Sequence, residues 1–185
     1  MTQFQSASQT AGPYVHIGCT PSFAGLENMY GGHDLGADIF SPDTPGTWVT
    51  VSGRIFDGEG MPVTDAMLEF WQADSFGHYA PQGGSEGWGR RAVDAQAASY
   101  SVNTILPAAV GDEAPHINVW VVARGVNLGL HTRIYFDCAD NEQDPVLAAI
   151  DDPARRSSLI ATRDGDTYNF DIHLQGDKET VFLNV

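Results

Sequence analysis

The chain has 185 residues, 42% hydrophobic and 10% aromatic, enough to bury one domain's core and too apolar for wholesale disorder. Its 24 acidic against 9 basic side chains give a net charge of −15, which repels phosphate backbones and anionic membranes, and no Lys/Arg cluster offsets it. An anionic small ligand would therefore need a local positive spot.

The start, Met1 to Ser6, has neither a basic n-region nor an apolar h-region, and no apolar run approaches the ~20 residues of a membrane helix. A soluble, cytoplasmic protein is expected. Cys19 and Cys138 lack metal or redox spacing and are expected to be free thiols. Residues 1–45 are rich in Gly, Pro, Ser and Thr and weakly periodic, too long for a passive connection. Their apolar content, including Tyr14, Ile17, Phe23, Leu26 and Phe40, favours an arm packed on another surface, expected to be a partner chain.

Residues 46–185 read as one β domain. Trp48–Phe56 is rich in β-branched and aromatic residues and is followed by turn chemistry at Asp57-Gly58-Glu59-Gly60. Met67–Trp71, Tyr100–Ile105, Ile117–Ala123, Thr132–Phe136, Tyr168–Leu174 and Thr180–Leu183 read as further strands, and about 145–160 as helical, with Pro153 starting a second short helix. Seven short strands and few helices predict a mostly β fold, a two-sheet β-sandwich. Arg155-Arg156 reads as a solvated helix face and Arg133 as a structural ion-pair member. Trp48, Trp71, Trp88 and Trp120 read as core or subunit interface. Among the histidines, His16 reads as packing or interface, His173 as structural, His131 as an interface hydrogen bonder, and His33 and His78 as loop residues.

The chemistry is carried by an incomplete pattern. A ferric site that binds a catechol needs hard anionic oxygens plus imidazole, supplied by tyrosinate and histidine. Two histidines at i and i+2 of a strand share one face. Here His116 is followed two residues on by Asn118, and Tyr79 stands eight residues after Trp71, so half of such a set is present.

The order of several segments carries a resemblance: Ser8 to Gly18, Leu68 to Asp74, Gly87 to Arg90, Ala114 to Asn118, Ala123 to Asn127, His131 to Asp137 and Phe170 to Gly176. Together they resemble the intradiol ring-cleavage dioxygenases, and within them the non-metallated alpha chains of two-chain enzymes. The resemblance implies that Tyr79, Val110, His116 and Asn118 are vestigial ligand positions, Val110 ending a Thr104-Ile105-Leu106-Pro107-Ala108-Ala109-Val110 tract where the family has tyrosine. The family arginine before the histidine pair maps near Glu113. Valine has no lone pair and an Asn carbonyl is a weak, neutral donor, so no metal site and no catalytic residue are expected on this chain.

The resemblance further implies a homologous beta chain that holds Fe³⁺ in an alpha–beta hetero-oligomer. That complex cleaves protocatechuate with O₂ to 3-carboxy-cis,cis-muconate, in aromatic catabolism by the beta-ketoadipate pathway. This chain would complete the pocket wall with Thr10, Gly12, Pro13, Tyr14 and Arg124. Gly12-Pro13 lets backbone approach a flat ring, and Arg124 offers a charge to a carboxylate. Plainer readings stand beside these: Gly12-Pro13 as an ordinary turn, and Arg124 as a strand-end arginine paired with a surface acid. The missing ligands also suit a binding β-sandwich without an enzymatic partner, whereas Val110 and Asn118 argue against a self-sufficient dioxygenase.

Overall fold

The structure, a computed structural model, describes residues 10–80, 86–137 and 141–184. Cys138 and residues 1–9 of the expected arm lie outside the described residues.

Among the described residues, ten strands carry the fold: β1 Trp48–Gly53, β2 Ile55–Phe56, β3 Met67–Gln72, β4 Trp88–Ala92, β5 Tyr100–Ile105, β6 His116–Val122, β7 Leu130–Phe136, β8 Ile160–Asp164, β9 Thr167–Asn169 and β10 Ile172–His173. Hydrogen bonding orders eight of them β4-β3-β6-β7-β8-β9-β1-β5, with β10-β2 as a separate pair. The two ends of the large sheet, β4 and β5, meet across an Asp94–Ser99 bridge, so the sheet nearly closes like a barrel. The mostly β expectation holds. The finer expectation of a two-sheet sandwich is not confirmed: pairing through β8 and β9 joins eight strands into one nearly closed sheet around the main core.

Period-2 alternation decides which side chains enter that core. On β6, Ile117, Val119 and Val121 point inward, and Leu68 and Phe70 of β3 and Ile134 and Phe136 of β7 join them. The even positions of β6 therefore lie on the opposite face, His116 and Asn118 among them. Register then fixes their neighbours: Trp71 pairs with Asn118, Asn118 with Arg133, and His116 with Tyr135.

The arm is anchored to its own domain along the described part. Backbone oxygens of Gly36 and Ile39 accept from Arg90 and Gly87, covering the free edge of β4. Arg91 donates to the Gly36 and Ala37 carbonyls, while Ile39 and Phe40 enter the core. Near its start the arm forms α1, Pro13–Cys19, with Pro13 in the first turn and Gly12 as N-cap. Within the region expected to be helical, α2 (Pro145–Ala148) and α3 (Pro153–Ser157) are capped by the Asp144 and Asp152 carboxylates. Pro153 does open the second helix. Arg155-Arg156 is not simply solvated: Arg156 donates to the Ile150 carbonyl at 2.7 Å and Arg155 pairs with Glu179. The expected strand Thr180–Leu183 shrinks to one bridge, Leu183 with His131, because Thr180 and Val181 donate to His173 and Ser158 instead.

One crossing constrains the sheet. The chain after β9 passes so close to β1 that a Cβ on Gly53 would stand 1.8 Å from the Phe170 carbonyl oxygen. That oxygen accepts from the buried Tyr100 hydroxyl at 2.6 Å. Tyr100→Phe should cost about 1–3 kcal/mol by stranding the buried carbonyl. Urea unfolding checks this, and an unchanged midpoint contradicts it.

Candidate functional site

The face opposite the core gathers Trp71, Tyr79, Asn118, Arg133, Tyr135 and His116. The rings of Trp71 and Tyr79 stack at 5.9 Å and 8°. Asn118 lies between Tyr79 and Arg133: its Nδ2 donates to the Tyr79 hydroxyl at 3.3 Å, and its Oδ1 accepts from Arg133 Nε at 3.0 Å. Arginine has no acceptor, so this amide orientation is imposed by chemistry.

Arg133 is the hub. Its Nη1 and Nη2 grip the two oxygens of Glu113 at 3.2 and 3.3 Å, a bidentate pairing, and Nη1 also donates to Tyr135 at 3.2 Å. Glu113 reaches the hub because residues 110–113 close a tight turn, in which Val110 and Glu113 exchange backbone hydrogen bonds at 3.1 and 3.0 Å. The Tyr135 hydroxyl passes its own hydrogen to Asp144 at 3.1 Å. Asp144 is fully buried and accepts further from the backbone N–H groups of Ala114, Val146 and Leu147. It thereby ties the start of β6 to α2.

Burial opposes the Arg133 charge, but Tyr135 and Glu113 outweigh it and raise its pKa. Tyr79 is pushed up chiefly by burial, partly offset by the Asn118 hydrogen bond and Arg133, so it stays a neutral phenol at physiological pH. His116 Nδ1 lies 2.8 Å from the Ala114 carbonyl and must carry the hydrogen there. Its buried Nε2 has no hydrogen-bond partner, and Glu113 Oε2 stands 3.6 Å away. Burial lowers the His116 pKa, against the Ala114 hydrogen bond that raises it.

A second cluster assembles at the mouth of the arm. The Gly125 N–H donates to Thr10 Oγ1 at 2.6 Å, which holds Thr10 against the Ala123-Arg124-Gly125 turn. Gly12, Pro13 and Arg124 line a cavity of about 590 Å³ together with Phe23, Leu26 and Asp65. Tyr14 projects outward, 86% exposed. Arg124 pairs with Asp65 through Nε at 3.2 Å, so the surface-acid pairing considered for it is present.

Of the remaining expectations, His173 stacks on Phe56 at 4.9 Å, a structural role, and His131 is exposed beside Trp120. Trp48 is 38% exposed. Asp144 and Asp65 carry no signal in the sequence as site residues, and Glu113 stands out there only as the position near which the family arginine maps. Alternation puts Arg133 and Tyr135 on one face, but nothing local in the sequence marks which acids meet them.

Comparison with known proteins identifies the family. Residues 21–176 match the family model described as Dioxygenase. The chain is 41% identical to the protocatechuate 3,4-dioxygenase alpha chain of Pseudomonas putida, over 97% of this chain and 96% of that one. It is 29% identical to the corresponding beta chain of Burkholderia cepacia, over 80% of this chain and 73% of that one. The dioxygenase domain of a carbohydrate-binding fusion protein from Streptomyces sp. SirexAA-E superposes with a TM-score of 0.59 at 28% identity, covering 78% and 88% of the two chains. The chain belongs to the intradiol ring-cleavage dioxygenase family.

Enzymes of this family use iron, and the residues here do not fit it. Val110 offers no donor, and the Asn118 oxygen is already spent on Arg133. Tyr79 is held neutral, and a guanidinium stands beside it where a second cation would be repelled. A single imidazole lone pair, on His116 Nε2, is left over.

Arg133→Met should destabilise the chain by about 1–3 kcal/mol, less than a wholly buried pair because Glu113 is 33% exposed. Adding Glu113→Gln should restore part of the loss, and strictly additive losses in a double-mutant cycle contradict the pairing. For His116 the folded pKa lies below its unfolded value of about 6.5. The unfolded chain therefore takes up a proton that the folded chain refuses, so His116's stability contribution is full above that pH and lost as pH falls toward the folded value. The fall in unfolding free energy from pH 7.5 to 5.5 should be smaller in His116→Asn, and an equal fall contradicts this.

Proposed function

We propose that this chain is the non-metallated alpha subunit of a heteromeric ferric intradiol dioxygenase that cleaves protocatechuate with O₂ to 3-carboxy-cis,cis-muconate. In this reading a homologous beta chain holds the iron, and the complex serves aromatic catabolism by the beta-ketoadipate pathway in the cytoplasm. The alpha-chain relative of Pseudomonas putida and the beta-chain relative of Burkholderia cepacia support a two-chain assembly.

The observation that carries the reading is that Gly12 and Pro13 line one surface cavity with Arg124, more than 100 residues on in sequence, while the adjacent Thr10 is bonded to Gly125. Gly12 and Pro13 present a wall with little side chain, against which a flat ring can lie closely. Arg124, 81% exposed, supplies the positive charge that a benzoate needs on a protein of net charge −15. Tyr14 offers an amphipathic ring to whatever covers the cavity. The chain's share of the work is to shape the pocket, recognise the carboxylate and exclude water, and by itself it is inactive.

Oxygen uptake with protocatechuate should appear when this chain and the beta chain are mixed, and not with this chain alone. Turnover by this chain alone at the rate of the mixture contradicts the division of labour. Arg124→Ala in the complex should raise KM for protocatechuate roughly tenfold, the worth of a charge-assisted hydrogen bond, and leave KM for catechol nearly unchanged. Equal effects on both substrates remove the carboxylate role.

A further inference from the structure

Arg124 carries a long, exposed side chain whose backbone is fixed on both sides. It follows Ala123, fully buried just past β6, and precedes Gly125, which is bonded to Thr10. What restrains the guanidinium itself is Asp65, whose Oδ2 stands 3.2 Å from Nε. Among the described residues no acceptor meets either terminal nitrogen, so the Nη edge, the part that forks onto a carboxylate, stays free.

Asp65 is itself anchored. Its carbonyl, an acceptor only, takes the hydrogen of His16 Nε2 at 3.0 Å, and Thr20 Oγ1 lies 3.1 Å from the other ring nitrogen. His16 is 8% exposed and rides on α1, the helix that carries Pro13. Ala66 and Met67, directly after Asp65, are buried at the start of β3. A buried imidazole thus fixes one acid against the same helix that builds the cavity wall, and that acid holds the arginine at the cavity rim.

We propose that Asp65 is a positioning residue for Arg124 that sets selectivity for carboxylate-bearing over carboxylate-free catechols. This rests on the pocket-wall reading above. Asp65 acts in two opposed ways: it removes rotamer freedom from the guanidinium before the ligand arrives, and it places a negative charge near an anion. Solvent screens that repulsion at this exposed rim, while the ordering is spent in full, so positioning wins. An aspartate left unpaired here would only repel the substrate.

The test is made in the complex of this chain with its iron-bearing beta chain. KM and kcat are measured for protocatechuate and for catechol, with the dissociation constant of a hydroxybenzoate that cannot be cleaved. Asp65→Ala should raise KM for protocatechuate and that dissociation constant about three- to fivefold, the scale of a partly exposed ion pair, with kcat and the catechol KM little moved. Asp65→Asn, which keeps the shape of the side chain but not the charge of the ion pair, should lose nearly as much. Tighter binding in both variants would show a repelling charge and overturn the proposal. So would equal shifts for the two substrates, the mark of a structural defect, or no shift at all. Arg124→Ala run alongside separates the levels: if it too leaves the substrate ratio unmoved, the pocket-wall reading falls and this inference with it, whereas a response to Arg124→Ala alone sinks only the role of Asp65.

Discussion

A half-buried guanidinium must be compensated wherever the fold puts it, and Arg133 is compensated on every nitrogen. Nε is taken by Asn118, the two terminal nitrogens by Glu113, and one of those also by Tyr135. Desolvating such a charge costs several kcal/mol unless its partners are well placed. Those partners come from three places that the fold must bring together: the middle of β6, the turn before it and β7 itself. Arg133 thus places a cation on the face that holds Tyr79, His116 and Asn118. A ferric ion asks for the reverse, anionic oxygens facing an open position. Side chains committed to Arg133 in this way cannot also face a ferric ion, and under the proposed reading the chemistry sits on the beta chain.

Under the proposed reading this chain keeps the work of recognition. Its acidity makes one exposed arginine valuable, and the cavity beside Arg124 supplies an apolar floor from Phe23 and Leu26. The arm has two faces. One is fastened to β4 through Gly36, Ile39, Arg90 and Arg91, and the other displays Tyr14, Met29 and Leu35 to solvent. Under the proposed reading the displayed side chains are those that the beta chain covers, since a monomer gains little from leaving them in water.

Much of the fold was legible because period-2 patterning survives wherever one face of a strand is buried. Tyr100–Ile105 matched to the residue, and the strands through Val119 and Ile134 to within two. What patterning missed had other causes. β4 reads Trp-Gly-Arg-Arg-Ala, and its arginines are there to grip the carbonyls of the arm, a purpose invisible without the arm in place. β8 follows a proline-started helix by two residues and borrows its order from β7 and β9. α1 rests on a proline first turn and a buried histidine in a stretch dense in turn formers. At the site, alternation put His116 and Asn118 on one face and marked Arg133 as an ion-pair member. The identity of its acid depended on a turn closing between Val110 and Glu113, and Asp65 depended on a contact 59 residues distant in sequence.

The most direct trial of this account is metal analysis with visible absorption spectra, on the chain produced alone in iron-replete cells and produced together with its beta partner. The account predicts a colourless, iron-free protein in the first case. In the second it predicts a coloured complex whose iron tracks the beta chain. One ferric ion per chain in the protein produced alone, with tyrosinate-to-iron absorption, would contradict it.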